Sequence, residues 1–404
     1  MARTKAADTD SAQAQVLLGE RHIGVLHYQR GNCWFDYQDL EPEHPVLGQR
    51  FEDDPSYGRK RVPDLPVWFA NLLPERRSGL RRLVNSQLGV AESHDFQLAL
   101  HLGEDLPGAV VIRPMGELPV GLRPVVERAD DEADLGFSLS GMQLKFSVVR
   151  SSETFRLARP GEFGDWIVKL PSQVHPELPA NEHAVMSWAG LAGIEVPEHL
   201  LARSTDLHGL PQGVALPGER AFAVRRFDRV SGTRVHQEDF AQVLGVRPVD
   251  KGRIGVELEL LAQVVVQVCP PEDLDELVRR MVFCIGSGNT DEHLKNWSLR
   301  YPDGRRARLS PAYDLVCSTA YPAFRNSRLT LSISGQRDIR YLTADHFRRM
   351  ADASGADPEQ VARTVDETVR AMRDTWSTVA AREETPVFLR EHIDERLAAV
   401  PLFR

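Results

Sequence analysis

Residues 288–296 read GNTDEHLKN and follow a long apolar-periodic stretch. Asp291 and Asn296 stand five positions apart, the interval at which the catalytic loop of kinases, H-R-D-x-x-x-x-N, carries its base and its metal-binding amide. A carboxylate there could take a hydroxyl proton, and an amide oxygen is a hard ligand of the kind magnesium accepts. Lys295 lies between them, where it could neutralise a transferring phosphate. Downstream, Pro302-Asp303-Gly304 signals a turn between two strand-like runs, and Ser-Pro-Ala-Tyr-Asp then offers Asp314. A hairpin returns to its own start, so Asn296 and Asp314 could share one metal. Upstream, DWIVKLP (165–171) reads as a strand carrying Lys169, a cation suited to the α and β phosphates. Glu182, near the start of the next helix, could orient that lysine, or be an acid favoured there by the helix dipole. Together these parts would perform phosphoryl transfer, which needs positioning and charge neutralisation more than covalent chemistry.

Each part also has an ordinary reading. A D-x4-N spacing fits a solvated loop with an Asx-turn. A lysine at a strand end commonly snorkels to solvent. The 137–145 turn holds Ser138, Ser140 and Gly141, whose hydroxyls and N–H groups could meet phosphate. It is no Walker motif, and it also fits a plain hairpin turn. His293 has no second His or Cys at a ligand spacing, which argues against zinc and leaves a structural or phosphate-contacting role. RRSGLRR (76–82) reads as a solvated basic helix face, or as a contact for nucleic acid or an acidic partner. Met372 and Trp376 read as core.

The elements that would position these residues follow from periodicity. Residues 16–37 form a meander of β-hairpins. Segments 67–75 and 78–89 read as helices, the second ended by Gly89, and 96–103 as another. A strand at 108–114 precedes a Pro-, Gly- and acid-rich stretch at 115–136, taken as a domain boundary. Strand-like stretches flank the 137–145 turn. The helix at 180–193 is capped by Asn181 and ended by Gly193, with Ala184, Val185, Trp188, Leu191 and Ala192 as its apolar stripe. A strand covers 221–229, and helices cover 256–268 and 271–286. After the 296–310 hairpin come helices at 343–354, 357–381 and 386–400. The order turn, lysine strand, helix, strands, then helices is that of a kinase. The expected fold is therefore α+β, a bilobal protein-kinase-like fold with an N-terminal β-rich subdomain and a mostly helical C-terminal lobe. The divisions expected are a disordered lead-in at 1–15, the β-rich subdomain at 16–125, a small lobe at 126–230 and a helical catalytic lobe at 231–404.

Bulk properties agree. A chain of 404 residues exceeds a single core. A formal charge of −9 argues against a protein that coats nucleic acid over its whole surface. No apolar run is long enough to span a bilayer, so no membrane role is expected. The four cysteines are far apart, suiting neither a disulfide framework nor a zinc site, and a reducing cytoplasm fits them best.

In combination the motifs resemble one family. GNTDEHLKNWSL (288–299) is similar to the catalytic stretch of HipA-family serine/threonine kinases, the toxins of type II toxin–antitoxin modules. FSLSGMQLKFSV (137–148) resembles their phosphate loop, S-x-x-G-x-Q-x-K, and WIVKLP (166–171) their ATP-lysine strand. NEHAVMSWAGLAGIEVPE (181–198), AFAVRRFDR (221–229), HQEDFAQVLG (236–245) and LSPAYDLV (309–316) resemble further family segments, as do WFANLLPE (68–75) and FQLALHLGEDLPGAVVI (96–112). The resemblance implies ATP and Mg2+ as cofactors. It implies Asp291 as the base, with Asn296 and Asp314 on the metal. Lys169 would contact ATP, with Ser140, Gly141, Met142, Gln143, Leu144 and Lys145 over its phosphates and Arg226 and Phe227 at the hinge. It implies that Ser138 is a regulatory autophosphorylation site whose dianion would eject the loop. It implies a protein target such as an aminoacyl-tRNA synthetase, and a HipB-like helix-turn-helix antitoxin through which DNA is reached. Arg225 departs from a glutamate seen in the family, and acidic Glu292 stands where a small residue also occurs, so hinge and substrate contacts are expected to differ. A small-molecule or lipid phosphotransferase, and a non-catalytic corepressor subunit, are the alternatives.

Overall fold

The computed structural model describes residues 11–404 except 39–40, 42, 77, 92–93, 120–121, 123–143, 159–161, 211–213, 215, 217 and 253–254. Ser138, Ser140, Gly141, Met142 and Gln143 lie outside the described residues, as do much of the expected lead-in and of the expected boundary at 115–136.

The first domain is built on strands β1 (Ser11–Leu18), β2 (Arg21–Gln29), β3 (Asn32–Tyr37), β4 (Val62–Pro63) and β5 (Val110–Pro114). They form one five-stranded sheet in the order β4-β3-β2-β1-β5. Alternation sets its faces: β3 buries Cys33, Phe35 and Tyr37 and turns Asn32, Trp34 and Asp36 outward. Arg30 and Gly31, both at positive φ (49° and 77°), make the two-residue turn that pairs Gln29 with Asn32. Helices α1 (Gln49–Asp53), α2 (Val67–Ala70), α3 (Gly79–Leu88) and α4 (Asp95–Leu102) accompany it, with Phe51, Trp68 and Phe69 packed on Phe35 and one another. The expected helix at 67–75 stops at Ala70. Asn71 Nδ2 donates to the carbonyls of Val67 (3.0 Å) and Val246 (2.9 Å), which ends the helix and ties it to the other half of the molecule.

The second sheet holds β6 (Lys145–Ser151), β7 (Thr154–Leu157), β8 (Trp166–Lys169), β9 (His199–Arg203), β10 (Leu207–His208) and β11 (Arg220–Arg225), in the order β10-β7-β6-β8-β11-β9. Helix α5 (Leu178–Leu191) packs near β11 and β9. Two expectations for it are corrected. Asn181 is not the cap. It is a buried residue within the helix, and its side chain holds the backbone of Cys317 (Oδ1 to N 2.9 Å, Nδ2 to O 3.1 Å). Leu191 is 44% exposed and leaves the apolar stripe, which Ala184, Val185, Trp188 and Ala192 maintain.

After short strands β12 (Arg229–Val230) and β13 (Thr233–Arg234), β14 (His236–Asp239) leads into α6 (Phe240–Val243). Asp239 caps α6 in a capping box with Gln242. The helical lobe comprises α7 (Leu258–Val268), α8 (Pro271–Ser287), α9 (Ala344–Ser354), α10 (Pro358–Ala380) and α11 (Val387–Ala399), with the hairpin β15 (Ser298–Tyr301) and β16 (Arg308–Leu309) paired beside β14. Its core reaches into α5: Trp188 meets Trp376 of α10 (centroids 4.7 Å) and Phe283 of α8 (4.9 Å). Met372 and Trp376 are core, as expected.

A buried charged seam joins the first domain to the rest. Arg226 forks onto Asp228 (2.9 Å twice) and reaches Asp105 (3.0 Å), and Arg229 pairs with the same two acids (2.9 Å each). Glu238, also buried, accepts from the Gln49 N–H (2.8 Å), Trp68 Nε1 (3.1 Å) and the Tyr301 hydroxyl (2.6 Å).

Candidate active site

Helix α8 ends at Gly288, whose φ of +79° turns the chain out of the helix. A Cβ there would lie 2.2 Å from Thr319 Oγ1, so both conformation and space call for glycine. The following loop bonds to itself. Asn289 Oδ1 accepts from the Asp291 N–H (3.3 Å), the Asp291 carbonyl accepts from the His293 N–H (2.8 Å), and Asn296 Nδ2 donates to that same carbonyl (3.0 Å). Asp291 is thereby fixed with its side chain exposed. Asn296 spends its amide nitrogen on the loop, and its amide oxygen is the group left for a cation.

The β15–β16 hairpin brings the chain back. Tyr313 donates its hydroxyl to the Lys295 carbonyl (2.9 Å) and bonds Ser298 Oγ (2.6 Å). Asp314 follows at φ +56°, a left-handed conformation uncommon for a residue other than glycine. Its carbonyl accepts from Asn289 Nδ2 (3.4 Å). Its carboxylate accepts from the ammonium of Lys169 on β8, and the same ammonium is bonded to Glu182 on α5. Lys169 and Glu182 are buried, and Asp314 is 30% exposed. Strand, helix and loop thus converge on one lysine.

The electrostatics follow this geometry. Burial opposes the charge on Lys169, but Asp314 and Glu182 outweigh it and hold the ammonium above its ordinary range. Burial pushes Glu182 up to about 7 against the pull of Lys169. Burial would raise Asp314 too, but Lys169 and Lys145 keep it well below the usual carboxylate range. Asp291 is raised, by crowding from surrounding protein and by Asp314 and Glu75, against Lys251. Among the described residues no group of three or more His, Cys, Asp and Glu side chains is arranged to hold a metal ion. A cation here would rest on the Asn296 amide and Asp314, with water and phosphate completing it.

Other expected site residues are placed differently. Lys295 does not face the cleft freely: its ammonium donates to the Asn71 carbonyl (2.7 Å) and pairs with Asp239 (3.4 Å). Arg226 has its side chain in the buried seam, so at the hinge only its backbone is available, its N–H bonded to the Asp165 carbonyl (2.8 Å). Phe227 lies 5.6 Å from the Tyr313 ring, and Arg225 points outward to Glu198 (3.3 Å). Glu292 is not on the surface. It is buried beside Asn289, and burial with Asp314 and Asp291 nearby pushes its carboxyl well up. His293 is buried, held to about 4 by burial and Lys251, and its Nδ1 has no protein partner. Leu144 is buried, its carbonyl accepting from Leu170 N–H (2.8 Å), and exposed Lys145 sits opposite Lys169 in the sheet. Within the basic cluster at 76–82, buried Arg81 pairs with Asp95, Arg76 bridges Asp95 and Asp64 (2.8 Å each), Arg82 is exposed, and Arg77 lies outside the described residues.

Lys251 and Glu75, which no motif singles out, also act on Asp291. Lys251 Nζ pairs with Glu75 Oε1 (2.5 Å), and the Lys251 carbonyl accepts from the Leu294 N–H (3.3 Å). The two come from distant segments, and no local pattern links either to the 288–296 loop.

With this geometry in place, comparison with known proteins is informative. The family description "HipA N-terminal domain" matches residues 14–113, and "HipA-like C-terminal domain" matches 137–376. The chain is 37% identical over 405 residues to "Putative kinase Y4dM" of Sinorhizobium fredii, covering 96% of this chain and 97% of that protein. It is 28% identical to "Putative kinase Y4mE" of the same organism, covering 89% and 88%. A HipA structure from Shewanella oneidensis MR-1, solved in a toxin–antitoxin complex with HipB and operator DNA, superposes with a TM-score of 0.72 at 22% identity over 96% of each chain. The fold is thus α+β, bilobal and kinase-like, as its order of elements predicted. Within that class, the chain belongs to the HipA family.

Proposed function

We propose that this protein is an ATP-dependent serine/threonine kinase of the HipA toxin type, acting in the cytoplasm. Its target would be a protein such as an aminoacyl-tRNA synthetase. A HipB-like helix-turn-helix antitoxin would neutralise it and carry it to DNA, an arrangement in keeping with a net charge of −9. The observation that carries the reading is the single ammonium of Lys169 held by both Glu182 and Asp314 at the mouth of the catalytic loop.

The residues present fit nucleotide and magnesium. The Asn296 amide oxygen and a charged, partly exposed Asp314 are hard oxygen donors. Magnesium held there would supply neutralisation of phosphate charge. Lys169, fixed by Glu182, offers its ammonium to phosphate oxygens, and Lys145 lies one strand away. Asp291 takes the proton of the acceptor hydroxyl as that oxygen bonds the γ-phosphorus. The bond from phosphorus to the departing ADP oxygen breaks, and Asp291 later returns the proton to solvent. Ser140 to Lys145 would cover the phosphates, and Ser138 would be the site at which autophosphorylation switches the enzyme off.

Intact mass after expression tests this. The wild type is expected to carry added phosphate, and Asp291→Ala and Ser138→Ala are expected to lack it. Labelled ATP should place label in a protein acceptor. Label in a metabolite instead would assign a small-molecule phosphotransferase, and absence of nucleotide binding would leave only a corepressor.

A further inference from the structure

We propose that Lys251, aimed by Glu75 of the first domain, is the cation that meets the transferring phosphate beside Asp291, and that the first domain thereby completes the catalytic cleft. The inference rests on the kinase reading above. Phosphoryl transfer needs a positive group on the acceptor side of the phosphate, separate from the lysine that steadies the nucleotide. Within the catalytic loop only Lys295 has that charge, and it is already used. Its ammonium bonds the Asn71 carbonyl and Asp239, and its side chain is 17% exposed. Its role is to bind the first domain to the loop.

Lys251 has the opposite character. Its backbone is fixed to the loop through the Leu294 N–H, so it cannot drift from Asp291. Its side chain is 28% exposed and pairs with one carboxylate, that of Glu75, itself 32% exposed. Its charge acts on Asp291 and His293 together. The buried, unpartnered Nδ1 of His293 sits in the same neighbourhood. Glu75 is carried on the segment after α2 that Asn71 anchors to the Val246 carbonyl and to Lys295. The first domain therefore grips the loop at one point and orients its cation at another. A partly exposed pair of this kind contributes little stability, so its arrangement is available for function.

The test is steady-state release of ADP from MgATP, with casein present as the hydroxyl acceptor of the phosphoryl group, by the full-length chain carrying Ser138→Ala so that it does not inactivate itself, with melting temperature and ADP affinity measured alongside. Lys251→Met is expected to lower kcat about 100-fold with KM for ATP little changed, the pattern of a contact made in the transition state. Lys251→Arg should recover part of the loss. Glu75→Gln, which leaves the lysine in place but unaimed, should lower kcat about tenfold at an almost unchanged melting temperature. The proposal is overturned if Lys251→Met turns over like wild type or loses activity only in step with melting temperature. It is also overturned if Lys295→Met, and not Lys251→Met, gives the large kcat loss. Should Lys251→Met fail to fold, an unchanged kcat in Glu75→Gln overturns it alone. A wild type that releases no ADP and binds no nucleotide defeats the kinase reading first, and this inference with it.

Discussion

Lys169 is the cleft residue with the least freedom. It is buried between two carboxylates, and removing it would leave both facing one another without a counter-charge. Breaking a buried pair by deleting one partner typically costs about 3–5 kcal/mol. Lys169→Met is therefore expected to lower the melting temperature and abolish ADP binding together, a loss visible by calorimetry and nucleotide titration. Asp291 behaves differently, because its side chain is exposed and its loop is knit by backbone and amide groups. Asp291→Ala should leave the melting temperature and nucleotide affinity near wild type while removing phosphate transfer. At this scale candidates could be read from the sequence where the chemistry they suggest has a fixed spacing. An interval and a turn single out Asp291, Asn296 and Asp314, and a place on a strand singles out Lys169; the fold brings Lys169 and Asp314 into contact. For Lys295, adjacency in sequence does not say which way a side chain turns, and Asn71 and Asp239 hold this one.

Among the elements, β14 shows how a strand can join two domains through one side chain. Burial pushes the Glu238 carboxyl up to about 7 from its ordinary 4.5, against three donated hydrogen bonds. The folded protein therefore holds more protons than the unfolded chain between those values. The stability this group contributes is full below pH 4.5 and declines as pH rises to about 7. Glu238→Gln should flatten that part of the pH–melting curve, and the gap between wild type and variant should narrow as pH rises through the window. Glu182 titrates upward in the same range, so it is the difference between the two proteins that reports on Glu238. In α8, a Cβ on Gly286 would lie 2.4 Å from Phe403 Cζ and 2.6 Å from Met372 Cε. Gly286→Ala should cost about 1–3 kcal/mol through overpacking, measurable by urea unfolding. Periodicity located the long helices well because burial follows it. It failed at α5, where Asn181 looked like a cap but serves a distant partner, Cys317. It failed also at α2, where a tertiary bond from Asn71 outweighed local helical preference.

At the scale of the molecule, the first domain is tied in by charges removed from water. Asp228 accepts from Arg226, from Arg229 and from the Gly108 N–H (2.8 Å). Asp228→Ala would strand two buried guanidinium groups, and a loss of about 3–5 kcal/mol is expected, little altered by added salt because the site is shielded. A lower urea midpoint than that of the wild type would report the loosened seam. This seam could not be read in advance. Asp105, Arg226, Asp228 and Arg229 look like surface charges in a sequence, and only the folded chain shows three of them buried together, with the partly exposed Asp105 at the edge. A catalytic half expressed without residues 11–114 would bare that space, along with the Glu238 carboxylate. Truncation is thus a poor route to an active fragment, and random mutagenesis for inactive variants should strike Asn71 and Asp105 about as often as it strikes the loop that carries Asp291.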